Sequence, residues 1–239
     1  PTNGSVGTLT VSHRYGQLVQ DMLDRERFDL LHFHEPFVPF LSLQLLRFST
    51  SVNVATFHAY SGQSLSYEFG KRMLQRFARR LHGRIAVSAA AMHFIERYFP
   101  GDYKVIPNGV DLRDFRNVAP FARWRDGTLN ILYIGRFESR KGAMYLLKAF
   151  RQLRREGIDC RLLMIGAGPQ EREVRRYIAT RRLQGVELLG RVSDQDKIRA
   201  LATADVFASP ATGQESFGIV LLEAMAAGRP LVVSRVGGI

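Results

Sequence analysis

Short apolar runs alternate with longer helical stretches along this chain, and the alternation occurs in two successive series. The run Asp29-Leu30-Leu31-His32-Phe33-His34 reads as a buried strand, as do 52–58, 84–88 and 104–106. Helices are expected at about 11–26, 36–48, 64–81 and 89–98. Strands separated by helix-length crossovers pair in parallel, and a parallel sheet needs helices over its faces. The second series places strands at 129–134, 161–165, 186–189, 205–208 and 230–233, and helices at 141–156, 169–181, 194–203 and 218–227. Between the series lie the turn signal Pro107-Asn108-Gly109-Val110-Asp111 and a polar, Arg-rich stretch ending at Asp126-Gly127. The expected division is an N-terminal unit over 1–112, a linker over 113–127 and a C-terminal unit over 128–239.

A length of 239 residues suffices for one large or two small cores. The chain starts at Pro1 and stops at Gly238-Ile239, so a fragment cut at both ends is expected. No apolar run approaches the roughly 18–20 residues of a membrane span, and no signal-peptide pattern is visible. Cys160 is the only cysteine, which excludes a disulfide framework and points to a reducing, cytoplasmic setting. It heads an apolar strand, so a buried structural thiol is expected.

The formal charge is +12. Arg72, Arg76, Arg79, Arg80 and Arg84 recur at near-helical spacing and would form a basic stripe. That stripe reads either as a solvated face or as an attraction to anionic lipid. Nucleic acid is set aside, because no nucleic-acid motif accompanies the charge.

Two segments carry chemistry. In Glu215-Ser216-Phe217-Gly218-Ile219-Val220-Leu221-Leu222-Glu223 a glycine separates the first glutamate from an Ala-rich helix. A helix starting near Gly218 aims its first N–H groups and positive dipole end at whatever sits beside Glu215, which suits a phosphate. Glu223, further along, can accept hydroxyl hydrogen bonds. The plain alternative is a surface helix with two solvated carboxylates. In Gly135-Arg136-Phe137-Glu138-Ser139-Arg140-Lys141-Gly142, cations follow a strand end. Arg136 would supply planar fork bonds to a diphosphate and Lys141 a point charge; the alternative is a solvated basic loop. Gly166-Ala167-Gly168-Pro169 falls short of a dinucleotide fingerprint and reads as a tight turn.

Gly135-Arg136-(x4)-Lys141-Gly142, Gly166-x-Gly168-Pro169 and Glu215-x7-Glu223 together resemble the C-terminal domain of family 4 retaining glycosyltransferases. Pro107 to Asp111 matches the turn closing their N-terminal domain. Asn3-Gly4-Ser5-Val6, His34-Glu35-Pro36, Ala55-Thr56-Phe57-His58, Gly83 to Ser88, Gly190 to Lys197 and Gly213 to Val220 look similar to phosphatidylinositol mannosyltransferases. The resemblance implies an α/β chain of the GT-B class: two Rossmann-like α/β/α domains with a cleft between them, both incomplete here.

It further implies metal-independent, retaining transfer of a hexose, mannose from GDP-mannose, to a lipid-linked acceptor such as phosphatidylinositol, with no cofactor beyond the nucleotide-sugar donor. The implied catalytic residues are His58, Arg136, Lys141 and Glu215. Gly135, Val192, Asp194, Lys197, Ser216, Phe217, Gly218, Ile219 and Glu223 would bind the nucleotide sugar, and Asn3 and Ser5 the acceptor. Asp194 would accept from guanine, while an N-cap role is its alternative, with Ser193 competing for it. Thr8 and Thr10 stand where lipid-active relatives place arginines, a departure bearing on the acceptor. The rival readings are a UDP-sugar donor with another acceptor, a non-catalytic nucleotide-sugar-binding protein, and a basic nucleic-acid-binding protein. The expected location is cytoplasmic, with peripheral attachment at the inner face of the cell membrane as a further expectation.

Overall fold

The computed structural model describes residues 15–37, 41–61 and 63–237. Contacts divide the chain into two compact units: 1–108 with 214–217 and 237–239, and 109–213 with 218–236.

The first unit runs α1 (Gly16–Glu26), β1 (Leu30–His34), α2 (Leu41–Phe48), β2 (Val52–Phe57), α3 (Leu65–Ala78), β3 (Gly83–Ala86), α4 (Ala89–Glu96) and β4 (Lys104–Val105). Its strands form one parallel sheet in the order β1-β2-β3-β4. Phe33, Leu46, Phe57, Leu74, Phe94 and Phe99 fill the core. Ser64 and Ser88 cap α3 and α4 by accepting from the amides of Tyr67 and Ala91, which fixes where each helix begins. The helix expected from residue 36 is not helical at Pro36 and Phe37, which lie in a turn. Phe37 is drawn inward instead, its ring 4.5 Å from that of Phe99. Residues 11–14, the expected start of the first helix, lie outside the described residues, as do Asn3 and Ser5.

The second unit runs β5 (Leu129–Ile134), α5 (Ala143–Arg155), β6 (Cys160–Ile165), α6 (Glu171–Thr180), β7 (Val186–Gly190), α7 (Asp194–Thr203), β8 (Val206–Ser209), α8 (Ile219–Ala226) and β9 (Leu231–Val233). The sheet order is β7-β6-β5-β8-β9, again all parallel. Alternate residues serve opposite faces, as a period of two demands. Ile131, Tyr133, Leu162 and Met164 face α5 residues Leu147 and Phe150, whereas Leu132, Leu163 and Ile165 pack with Leu201, Phe207 and Leu221. Cys160 is buried at the start of β6.

The stretch expected as a linker is packed into this unit. It forms two short 3-10 turns, at Leu112–Phe115 and Ala122–Trp124. Trp124 is buried, its indole N–H donates to Glu187 at 3.0 Å, and its carbonyl accepts from Asn130 at 2.9 Å. The amide of Phe121 donates to the Thr203 hydroxyl at 2.8 Å. A polar composition suggested a linker, but two aromatic anchors hold the segment down.

Candidate functional site

The strand order of the second unit changes direction between β5 and β8. A parallel sheet opens a crevice beyond its strand C-termini at such a point, because the two adjoining crossovers go to opposite faces. The two motif loops leave the sheet there, one after β5 and one after β8.

The β5 loop is held by backbone. Gly135 donates to Ile165 at 3.0 Å, Phe137 to Ala167 at 3.1 Å, and Gln170 to Phe137 at 2.9 Å. A side chain at Gly166 would meet the Gly135 carbonyl, and one at Gly168 would lie 2.6 Å from the Phe137 oxygen. The Gly166-x-Gly168 pair is therefore a close approach of two loops. The buried ring of Phe137 pins this loop to the core, and the buried Tyr133 hydroxyl donates to the Arg136 carbonyl at 3.1 Å.

Glu138, buried between two arginines, sits 3.0 Å from Nε of Arg136 and 3.1 Å from Nε of Arg140. It orients the Arg136 side chain, which stays partly exposed. Lys141 ends a 3-10 turn (Ser139–Lys141) instead of opening a helix, and α5 begins two residues later than expected. The cause is Gly142, which adopts φ +73° with its Cα against the Pro210 carbonyl. Thr212, in the β8 loop, donates its amide to the Arg140 carbonyl at 2.8 Å, so the two loops are tied to each other.

After β8 the chain passes Glu215, Ser216 and Phe217 and enters α8 through Gly218 at φ +75°. No acidic side chain occupies the first turn of α8, so its dipole is left uncompensated by the helix itself. Ile219 opens the helix and is exposed. The reading of two solvated carboxylates does not hold. Glu215 is 7% exposed, and the Glu223 side chain is 14% exposed with Lys197 2.8 Å away.

Lys197 also reaches Asp194, at 3.3 Å. Burial opposes its charge, but the bond to Glu223 and the nearby Asp194 outweigh burial and hold it above the usual lysine range. Ser193, not Asp194, caps α7, accepting from the amide of Asp196 at 3.1 Å. That leaves the Asp194 side chain 94% exposed. Val192, just before, packs its side chain on the core.

His58 belongs to the first unit. It follows β2, and its amide donates to the Glu35 carboxylate at 2.5 Å, as does that of Ala59 at 2.6 Å. Glu35, at φ +52°, turns its chain back beside the end of β2, and its own amide donates to Thr56 at 3.0 Å. Burial raises the Glu35 carboxyl above its usual range, against the lowering effect of these amides. His34 Nδ1 lies 2.8 Å from His58 Nε2, and the His32 ring lies tilted with its centroid 4.7 Å from that of His34. Burial, then the neighbouring His34 and His32, lower the His58 pKa, so the ring is neutral at pH 7. No group of three or more His, Cys, Asp or Glu suited to a metal occurs among the described residues.

Four residues here were not singled out from sequence: Glu138, Arg140, Glu35 and His34. Glu138 had a signal, an acid flanked at two residues on either side by arginine, and His34 and Glu35 lay in the segment His34-Glu35-Pro36 that carries part of the resemblance.

Comparison with known proteins matches residues 5–114 to "Glycosyltransferase Family 4" and 128–239 to "Glycosyl transferases group 1". A phosphatidyl-myo-inositol mannosyltransferase of Mycobacterium tuberculosis is 37% identical over 235 residues, 98% of this chain and 62% of that protein. One of Propionibacterium freudenreichii is 34% identical over 235 residues, 98% of this chain and 59% of that protein. The chain thus spans about three fifths of these relatives' length. Among solved structures, a glycosyltransferase of Rickettsia africae superposes with a TM-score of 0.76 at 19% identity, covering 98% of this chain and 66% of that one. Anabaena HepE, in complex with UDP-glucose, superposes at 0.74 and 23%, covering 93% and 65%. These structural likenesses are likenesses of fold.

Proposed function

This chain belongs to the family 4 glycosyltransferases of GT-B fold, and we propose that the protein containing it moves mannose from GDP-mannose to a lipid-linked acceptor such as phosphatidylinositol, with retention and without a metal ion. The supporting observation is the 37% identity to a phosphatidyl-myo-inositol mannosyltransferase across 98% of the chain. The anion-receiving arrangement beyond β5 and β8 adds to it.

As the bond from the anomeric carbon to the diphosphate oxygen breaks, the leaving group gains negative charge. Arg136, Lys141 and the N–H groups opening α8 are fixed dipoles and charges that such a leaving group would meet without reorganisation. In this reading the acceptor hydroxyl attacks from the face the diphosphate leaves. Its proton passes to the departing phosphate oxygen, and the sugar keeps its configuration. Glu215 and the neutral His58 hold the hexose, while Glu223 accepts from the ribose and Asp194 from guanine.

The test is turnover of the full-length protein with GDP-mannose, UDP-glucose and UDP-N-acetylglucosamine, each with phosphatidylinositol. Transfer from GDP-mannose alone supports the reading. Transfer from a UDP-sugar moves the protein to another donor, and nucleotide-sugar binding without transfer makes it a binding protein.

A further inference from the structure

The loop at Glu35 is held more tightly than a turn needs. Glu35 has φ +52°, a left-handed backbone that glycine adopts freely and other residues rarely. What glutamate adds there is its carboxylate. One oxygen, Oε1, accepts from the amides of both His58 and Ala59, at 2.5 and 2.6 Å. The other, Oε2, accepts from the Tyr67 hydroxyl at 3.5 Å. Tyr67 is itself fixed, buried among the rings of Phe37, Phe94, Tyr98 and Phe99. The main chain of Glu35 is tied as well, its amide donating to the Thr56 carbonyl at 3.0 Å.

These contacts converge on His58. It follows the last residue of β2, so the strand no longer sets its direction. The Glu35 carboxylate does so instead, through two successive amides. The ring is fixed from its other side: His34 Nδ1 lies 2.8 Å from His58 Nε2, and the two rings stack with centroids 5.1 Å apart. That bond leaves Nδ1 of His58 as the ring nitrogen for a sugar hydroxyl. A side chain held at both its backbone and its ring has one orientation instead of several, which a reacting site needs before the substrate arrives.

We propose that Glu35 is a positioning residue for sugar transfer: it clamps the chain at His58 and Ala59, so that the imidazole braced by His34 meets the hexose in one orientation. The inference rests on the reading that puts the hexose at His58. Glu35 acts through His58 and touches no substrate itself. A brace for folding alone would lower the thermal midpoint and leave turnover of the folded protein unchanged.

The experiment compares Glu35→Ala, Glu35→Gln, His58→Asn and the double variant of Glu35→Ala with His58→Asn, all in the full-length protein. Initial rates are measured with GDP-mannose and phosphatidylinositol, well below each thermal midpoint, beside titrations with bare GDP. Alanine and glutamine strain the backbone at position 35 as glutamate does, so the variants differ in the side chain alone. Glu35→Ala should lower kcat about a hundredfold, the cost of a misplaced group, and leave GDP affinity unchanged. Glu35→Gln should recover most of that loss, since its carboxamide oxygen can accept from the same two amides. In the His58→Asn background Glu35→Ala should cost no more than about twofold, because the imidazole it acts through is already gone. No transfer by the wild type, or normal transfer by His58→Asn, takes the hexose away from His58 and overturns the reading together with the inference. With the wild type active and His58→Asn impaired, the inference alone is overturned by any of four results: Glu35→Ala turns over normally, it weakens bare GDP, glutamine recovers nothing, or the two losses multiply in the double variant.

Discussion

At the scale of single residues, the two glutamates of the β8 segment are in different states, and this separates their expected effects. Glu223 is already paired with Lys197, so its carboxylate is pre-oriented before any nucleotide arrives. Glu223→Gln should weaken bare GDP and GDP-mannose alike, by roughly 1–3 kcal/mol for a lost bond to a charged group. Glu215→Gln should spare bare GDP and sharply lower turnover, because its assigned partner is the hexose. Titration with GDP followed by initial rates tests both. If Glu215→Gln abolishes GDP binding, the sugar is assigned to the wrong carboxylate. Asp194 gives a clean test of the base, since its exposed side chain contacts Lys197 and does not cap α7. Asp194→Ala should cost GDP more than UDP, and equal losses would remove it from base recognition.

His58 makes a prediction about pH. Its folded pKa is lowered, so protonation costs more in the folded chain than in the unfolded one. The resulting stability is fully present above the unfolded value of about 6.5 and is lost as pH falls through the folded value. Glu35, whose pKa is raised, works in the opposite sense, losing stability as pH rises through its folded value. The readout is therefore the difference between wild type and His58→Asn, which keeps the amide bond to Glu35. The thermal midpoint of wild type should fall more steeply than that of the variant as pH drops below about 6.5. Parallel curves would mean that His58 is not held neutral by its surroundings. This cluster was not legible in the sequence. His34 and His58 meet only because β1 and β2 pair in parallel with His34 opposite Thr56, a register that no spacing along the chain reveals.

At the scale of elements, the second series was legible almost strand for strand, because its apolar runs are long and bounded by glycine. The departures have local causes. Helix α5 starts late because of the left-handed Gly142, and the turn at Pro36 and Phe37 forms because an aromatic side chain goes inward. The glycines also allow a controlled comparison. Gly142 and Gly157 share a left-handed backbone, at φ +73° and +83°. A side chain at Gly157 would meet nothing within 4 Å, whereas one at Gly142 would run into the Pro210 carbonyl. Gly157→Ala should cost about 1–2 kcal/mol from conformation alone. Gly142→Ala should cost more, and should also weaken GDP binding by displacing Lys141. Urea denaturation of both variants, with GDP titration, measures this. Equal losses of stability would show that the loop after β5 gives way easily, contrary to its four backbone ties.

At the scale of the whole molecule, the α/β class and the presence of two units follow from the repeated alternation of strands and helices. The point where one unit gives way to the other does not, because 113–127 is polar in sequence and anchored by Phe121 and Trp124 in structure. Two units with separate cores need not unfold together, so a single midpoint can conceal which one a ligand stabilises. The Arg136, Lys141 and α8 arrangement lies in the second unit, and a nucleotide bound there protects that unit first. Saturation at a hundredfold the dissociation constant contributes about 2.7 kcal/mol to whatever opening it opposes. Hydrogen exchange on the full-length protein, with and without GDP, should therefore show slower exchange in 109–213 and 218–236, greatest around Gly135 to Gly142 and the start of α8. Arg136→Ala and Lys141→Ala should each reduce that protection by weakening GDP by roughly 1.5–3 kcal/mol. Protection confined to 15–108, or unchanged in both variants, would place the diphosphate on the first sheet and remove the β5 and β8 loops from donor binding.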